Sequence, residues 1–520
     1  MKTIHRRHFL GLAGGGTLAA ALTGAAPVSA LVLEPGQARV KIDLQKRIGL
    51  ISPGIYGQFI EHLGRCIQGG IFEEGSPLSD SNGFRRDVLE KVKRLAPPLL
   101  RYPGGTVTKI YHWRDGVGPK NKRPRRRNLI WGGEEDNRFG TDEFIRYCRI
   151  IGAEPFLVTN MATGTAEEAA NWVEYCNGTG NTEFANLRRA HGFAEPHNVK
   201  YWGLGNEEHG EPDVGRLQEP EAYVKEAWQF AKLMKLQDPG VQLILSGHDE
   251  NWNRKILREL HPVCDFLSLH FYARPTNSSY ASLFANIAGF EQTLRQTKSL
   301  LLTVPEQVRE FSPWYRFQPR RHPVRLAIDE WGIWESGKTA HELELKYSWT
   351  HALATATLLN IFQRHADVIG LATWAQMVNV LAPIFTSQKD STCQPVFYPL
   401  ELYRRYCGKW SLEVQAESDR LDSSSPHSPA ALDVAASYDD EKHVLTLAVV
   451  NRDAEKSFHT ALEVVGRAAP VMRAAYQLSG PPSQSCDLIE PSNDRVSPNS
   501  SSGSACTFPP HSMTLLLYGL

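Results

Sequence analysis

Eight short apolar runs, each closing on polar side chains, constrain this chain more than any other feature. They lie at 54–60, 99–102, 154–159, 199–206, 242–246, 266–270, 326–330 and 368–374. Segments of helical spacing, such as 165–175, 221–236 and 342–364, fall between them. Strand alternating with helix indicates a parallel sheet, because parallel neighbours need a long crossover. Eight such repeats across about 350 residues predict an α/β fold, a (β/α)₈ TIM barrel with large loops.

The run ends carry the chemistry. Glu61-His62 follow the first run, Arg101 sits in the second and Asn160 follows the third. Asn206-Glu207 end the fourth, His248-Asp249 follow the fifth, and His270 with Tyr272 end the sixth. Glu330 ends the seventh and Gln376 follows the eighth. One polar strand end is an ordinary cap. Eight of them around one barrel mouth predict an active site, since that face carries the catalytic loops of this fold. Two strands stand out. Lys200-Tyr-Trp-Gly-Leu-Gly-Asn-Glu207 and Arg325-Leu-Ala-Ile-Asp-Glu330 both run apolar and then stop at a carboxylate with no packing reason to be there. A pair of strand-end glutamates predicts glycoside hydrolysis by two carboxyl groups.

After about residue 407 helical spacing stops. Strand-like runs at 432–438, 442–450, 460–465 and 513–518 are separated by turn-rich segments, notably 419–428 and 491–504. They predict a C-terminal antiparallel β-sandwich, jelly-roll-like, joined by an early alternating strand at 38–44. The expected domains are therefore a catalytic barrel at 49–407 and a sandwich made of 31–48 plus 408–520.

Residues 1–30 are expected to be a removed export signal. Arg6-Arg7-His8-Phe9-Leu10 is a twin-arginine signature, a Gly/Ala-rich stretch follows, and Val28-Ser29-Ala30 offers small residues for cleavage. This implies a bacterial protein, exported folded to the periplasm or beyond. No other run approaches the roughly 20 apolar residues of a membrane-spanning helix. The formal net charge of +0 gives no reason to expect nucleic acid or an anionic membrane as partner. The basic run 120–127 reads as a solvated loop. Eight cysteines dispersed through 520 residues are not a disulfide framework. Cys66, Cys148, Cys176, Cys264, Cys393 and Cys407 read as buried thiols, and pairing of Cys486 with Cys506 stays open. No Cys or His spacing matches a metal site, and no cofactor is implied.

Further motifs lie along the same span: Gly57-Gln-Phe-Ile-Glu-His-Leu-Gly-Arg65, Arg101-Tyr-Pro-Gly-Gly105, Tyr111-His-Trp-Arg-Asp-Gly116, Asn137-Arg-Phe-Gly140, Asn171-Trp-Val-Glu-Tyr-Cys-Asn177, Gly203-Leu-Gly-Asn-Glu207, Asp329-Glu-Trp331 and Gln376-Met-Val-Asn-Val-Leu-Ala-Pro383. In these the chain resembles glycoside hydrolase family 51, whose best-known members are α-L-arabinofuranosidases. The resemblance implies a retaining enzyme that removes terminal α-L-arabinofuranosyl residues from plant-derived glycans. It implies Glu207 as general acid/base, Glu330 as nucleophile, and His270 and Tyr272 as residues orienting the pair. Asn206 is expected at the sugar 2-hydroxyl, and Glu61, Arg101 and Gln376 at other hydroxyls. Glu330 is expected to raise the pKa of Glu207 by its charge. A homo-oligomer, often a hexamer, is also implied.

Two departures bear on the sugar. Thr106 stands where the family usually has Asn, and Glu208-His209 replace its usual Met-Asp. The insertion 306–323, with Trp314, Tyr315 and Phe317, reads either as a subsite wall or lid or as a packed surface loop. Alternatives to the arabinofuranoside are a galactofuranoside, a β-xyloside or a β-glucan on the same chemistry, or a non-catalytic carbohydrate-binding protein on this fold.

Overall fold

The computed structural model describes residues 34–520 apart from 211–213, 215–216, 218, 276–278, 305–318, 321, 336–341, 423–427, 467–470 and 481–504. The expected export signal, Cys486, the three aromatics of the insertion and the turn-rich segment 491–504 lie outside the described residues.

Eight parallel strands close into a barrel. In chain order they are Gly57–Phe59, Leu99–Tyr102, Glu154–Thr159, Tyr201–Leu204, Gln242–Leu245, Phe266–Ala273, Arg325–Ile333 and Ile369–Ala375. All eight fall on the predicted runs. Their side chains alternate as the pleat requires. Leu99, Phe156, Val158, Ile244, Phe266, Ala327 and Leu371 form one inner cluster that plugs the barrel. Their neighbours Leu100, Leu157, Leu243, Leu245, Leu267 and Leu326 join the shell between strands and helices. Thr165 and Asp249 cap the helices Ala166–Asn177 and Glu250–Leu260, each accepting from a backbone N–H in the first turn.

The predicted helix 342–364 starts only at Trp349. The preceding stretch is held as a loop by Gln394, whose Oε1 accepts from the Tyr347 N–H at 2.8 Å and whose Nε2 donates to the Leu345 carbonyl at 3.0 Å. The basic run 120–127 is largely solvated, as expected, except at Arg123. Arg123 is buried against Glu143 at 2.9 Å, and Arg126 pairs with Asp115 at 2.9 Å.

The remaining strands form one eight-stranded ladder in the order Val471–Ser479, Ser512–Gly519, Val444–Asn451, Leu432–Asp439, Trp410–Glu417, Gln37–Leu50, Phe458–Val465, Ala505–Phe508. Pairing is antiparallel except between Gln37–Leu50 and Phe458–Val465, which run parallel. The sheet curls over itself. Val40, Phe458 and Phe508 share a core with Leu447, Leu516 and Tyr518, and Cys506 Sγ lies 3.7 Å from the Tyr518 hydroxyl. The strands Trp410–Glu417, Val471–Ser479 and Ala505–Phe508 were not expected: exposed apolar residues such as Val471 and Ala505 blur their apolar/polar alternation.

The barrel and this sheet meet at the helix Trp349–Arg364. Arg364 grips Asp433 through two bonds of 3.1 Å and Glu291 through Nε at 3.1 Å, while Asn360 Nδ2 donates to Asp433 Oδ1 at 2.8 Å. Arg452 lies 3.5 Å from the same carboxylate. Asp433→Ala leaves the buried Arg452 and the partly buried Arg364 without their shared partner, although Arg364 keeps Glu291, so a loss of about 2–4 kcal/mol is expected. Chemical denaturation measures it; a change under about 1 kcal/mol would mean the cluster contributes little. Among the described residues no helix is long and apolar enough to cross a membrane.

Candidate active site

The site stands on the apolar plug. Arg101, 1% exposed, lies over the rings of Phe59 and Phe156 at 4.6 and 5.8 Å. Its guanidinium donates to Glu330 Oε2 at 3.1 Å and to Asn206 Oδ1 at 2.6 Å, and its Nε is 3.4 Å from Asp329 Oδ2. A cation buried this deeply persists only with carboxylates arranged around it. Arg101, expected at a sugar hydroxyl, stands at the mouth and also holds the floor on which the carboxylates sit.

Asp329 and Glu330 are consecutive, and a regular strand would send them to opposite faces. Both nevertheless reach the barrel interior, because the register with the strand Phe266–Ala273 shifts between Ala327 and Glu330. Asp329 Oδ1 accepts from Ser268 Oγ at 2.5 Å. Glu330 Oε1 accepts from the Tyr272 hydroxyl at 2.6 Å.

Glu207 arrives differently. Its strand ends at Leu204; Gly205 then takes φ 75° and Glu207 itself takes φ 47°. A left-handed conformation in a glutamate is uncommon, and strain of this kind clusters at functional sites. Lys109 Nζ pins the turn by donating to the Glu207 carbonyl at 3.2 Å. Glu208 folds back under the strand end, where its Oε1 accepts from the Asn206 N–H at 3.1 Å. It is fully buried there.

His270 links the two glutamates. Its Nδ1 is 2.8 Å from Glu207 Oε1 and 3.5 Å from Glu330 Oε2, and its Nε2 is 3.5 Å from Asp329 Oδ1. Burial opposes charge on this ring, but Glu330, Asp329 and Glu207 outweigh it and push the imidazole up to about 10. Burial likewise opposes charge on Glu207, yet the His270 hydrogen bond and charge bring its carboxyl down to about 2. This reverses the expectation that Glu330 raises Glu207. The imidazole between the carboxylates, rather than Glu330, sets the direction of the shift at Glu207. A histidine whose folded pKa is raised stabilises fully below its unfolded value near 6.5 and loses that contribution as pH rises through about 10. The urea midpoint of the wild type should exceed that of His270→Gln most at pH 6.5, and the gap should shrink toward pH 10. A gap that widens over that interval contradicts the assignment.

The other predicted residues gather at the same mouth. Glu61 Oε1 accepts from the Val107 N–H at 3.1 Å and from Trp131 Nε1 at 2.9 Å, and its Oε2 accepts from Gln376 Nε2 at 2.7 Å. Burial, with the charge of Glu330, pushes Glu61 up to about 7 against those donors. Asn206 Nδ2 and Gln376 Oε1 are buried and lack a partner among the described residues. Such orphaned polar atoms mark where a ligand's hydroxyls would bond. Thr106 opens the short helix Thr106–Ile110, directly after Gly105. A Cβ on Gly105 would lie 3.0 Å from Glu330 Oε2, so the bare glycine keeps that carboxylate approachable. Sequence reasoning missed Asp329, Ser268, Lys109 and Trp131. Asp329 alone had a signal, being a second acid beside Glu330.

Glu207, His270 and Glu330 each offer an atom, all within 4.8 Å of one another. The trio has the donor types of a metal site, but Arg101 and the imidazolium already supply the cations. One oxygen from each glutamate thus lies within 4.8 Å of the other. Inverting enzymes need carboxyls about 6.5–9.5 Å apart to admit a water, and retaining ones need about 5–5.5 Å. A parallel barrel with this pair at the C-terminal ends of its fourth and seventh strands defines a barrel glycoside hydrolase.

Known proteins narrow the class. The family profile described as "Alpha-L-arabinofuranosidase 1 domain" matches residues 91–289, and "Alpha-L-arabinofuranosidase C-terminal domain" matches 329–512. A probable α-L-arabinofuranosidase C of Aspergillus niger is 38% identical over 510 residues, spanning 92% of this chain and 97% of that protein. An intracellular exo-α-(1→5)-L-arabinofuranosidase 1 of Bacillus subtilis is 32% identical over 83% of this chain and 87% of that protein. The crystal structure of α-L-arabinofuranosidase from Thermotoga maritima in complex with arabinose superposes with a TM-score of 0.81 at 36% identity, covering 93% of this chain and 100% of that one. The family 51 enzyme of Thermotoga petrophila gives 0.82 at 36% identity, covering 92% and 100%. The chain belongs to the α-L-arabinofuranosidases of glycoside hydrolase family 51.

Proposed function

We propose that the protein is a retaining α-L-arabinofuranosidase that removes terminal arabinofuranosyl residues from plant-derived poly- or oligosaccharides. The observation that carries this is the glutamate pair, with oxygens within 4.8 Å and one imidazole between them. Glu330 attacks the anomeric carbon. Tyr272 and Arg101 hold its two oxygens in place. Glu207 passes a proton to the leaving oxygen, then takes one from water in the second step. That proton waits on His270 Nδ1, 2.8 Å away. As Glu330 becomes an ester it loses the charge that holds the imidazolium most strongly, so bond formation and proton release run together. Asn206 Nδ2 meets the sugar 2-hydroxyl, where contacts strengthen in an oxocarbenium-like transition state. Glu61, Gln376 and Thr106 bind other hydroxyls. The reading uses no cofactor.

The barrel at 49–407 forms the catalytic domain, and 31–48 with 408–520 form the supporting sandwich. The twin-arginine pattern in 1–30 supports export from a bacterial cell, and family likeness supports a homo-oligomer. A second reading, another furanoside, draws on Thr106 in place of the usual Asn. Turnover of a panel of nitrophenyl glycosides tests both: release from the α-L-arabinofuranoside should exceed release from the galactofuranoside and xyloside, and no arabinofuranoside turnover removes the first reading.

A further inference from the structure

A cleft of about 460 Å³ runs outward from the site, lined by Glu207, His209, His248, His270, Phe271 and Gly289 among others. Its walls include neither Glu330, Asn206, Glu61 nor Gln376. The glycone sits where those four groups converge. The acid/base must touch the glycosidic oxygen, so whatever lies beyond that oxygen lies on the side of Glu207 away from Glu330. The cleft touches Glu207 and His270 and leaves Glu330 out of its walls.

Its lining suits a sugar. His209 and His248 stack with ring centroids 3.6 Å apart and planes at 13°. His209 Nδ1 is buried without a partner among the described residues. Burial and His248 hold the His209 imidazole down to about 4, so at neutral pH it is uncharged and both donates and accepts. Phe271, half-buried and stacked on Phe290 at 4.1 Å, adds an apolar wall. Polar groups set in an apolar wall are what a hydroxylated ring needs. We propose that this cleft binds the leaving-group sugar of the glycan, with His209 and His248 meeting its hydroxyls. The assignment rests on the arabinofuranosidase reading and deepens it. It also gives a use to His209, one of the two residues by which the chain departs from its family at the acid/base.

Gly289 allows a test away from the chemistry. It is exposed on the helix Tyr280–Thr303, and a Cβ built there meets nothing within 4 Å. Gly289→Trp therefore narrows the cleft without a clash, and Gly289→Ala is its control. The glycosyl-enzyme is formed from 4-nitrophenyl α-L-arabinofuranoside, and an arabino-oligosaccharide is added as acceptor. In transfer, an acceptor hydroxyl bonds to C1, the bond from C1 to Glu330 breaks with its electron pair returning to the carboxylate, and the hydroxyl proton goes to Glu207. The wild type and Gly289→Ala should make transfer product. In Gly289→Trp the ratio of transfer to hydrolysis, which compares two fates of the same glycosyl-enzyme, should fall about tenfold. His248→Ala should lower the ratio as well. Thr293→Trp, one turn further along the same wall, serves if Gly289→Trp does not fold. An unchanged ratio in the folded tryptophan variants overturns the assignment. Absence of nitrophenol release by the wild type overturns the activity reading, and the assignment falls with it.

Discussion

Glu330→Gln should lower kcat on every arabinofuranoside by roughly 10⁴- to 10⁶-fold while the barrel stays folded, as loss of a nucleophile does elsewhere. The amide keeps the shape of the side chain and an oxygen for the Tyr272 hydroxyl, now at 2.6 Å from Glu330 Oε1. It cannot displace the leaving group. It also removes the negative charge that contributes most to holding the His270 proton. The same variant should therefore show the His270 resonance titrating well below its wild-type value near 10. Initial rates, with the histidine titration followed by NMR, check both effects. Activity within tenfold of the wild type would remove Glu330 from the nucleophile role.

Glu207→Ala should divide substrates by leaving group. A nitrophenolate departs without a proton, so the first step on the aryl arabinofuranoside should slow by less than about tenfold. An arabino-oligosaccharide needs the proton, and its kcat/KM should fall by about 10²- to 10⁴-fold. The second step loses its base in both cases, so a burst of nitrophenol should precede slow turnover. Azide, which needs no general base, should fit the vacated space and restore turnover with formation of an arabinosyl azide. Equal losses on the two substrates, with no response to azide, would take the acid/base role from Glu207.

The fold was legible because barrel strands buried on both faces are apolar runs, and all eight coincide with strands. Glu207, Glu330, Asn206, His270 and Tyr272 were legible because each ends or follows such a run with no packing reason to be polar. What was not legible is three-dimensional in origin. The register shift before Glu330 brings Asp329 into the site, and no periodicity announces it. Trp131 reaches Glu61 from a hairpin tip 70 residues away in sequence. Family resemblance alone gave Arg101 a place at the sugar; its burial against three polar partners shows only in the packed barrel. The state of Glu207 depends on which neighbour is nearest. His270 Nδ1 at 2.8 Å prevails over Glu330, and sequence order cannot rank those distances.

Stereochemistry is the most direct test of the glutamate pair. Two glutamates with oxygens within 4.8 Å are closer than an inverting pair needs, so the proposed reaction passes through a glycosyl ester on Glu330. Running hydrolysis of the aryl α-L-arabinofuranoside in the presence of methanol, with the first-formed methyl glycoside followed by ¹H NMR, reads this before mutarotation interferes. The expected product is methyl α-L-arabinofuranoside, with the anomeric configuration retained. The β-anomer as first product would contradict the double displacement and the roles given to both glutamates.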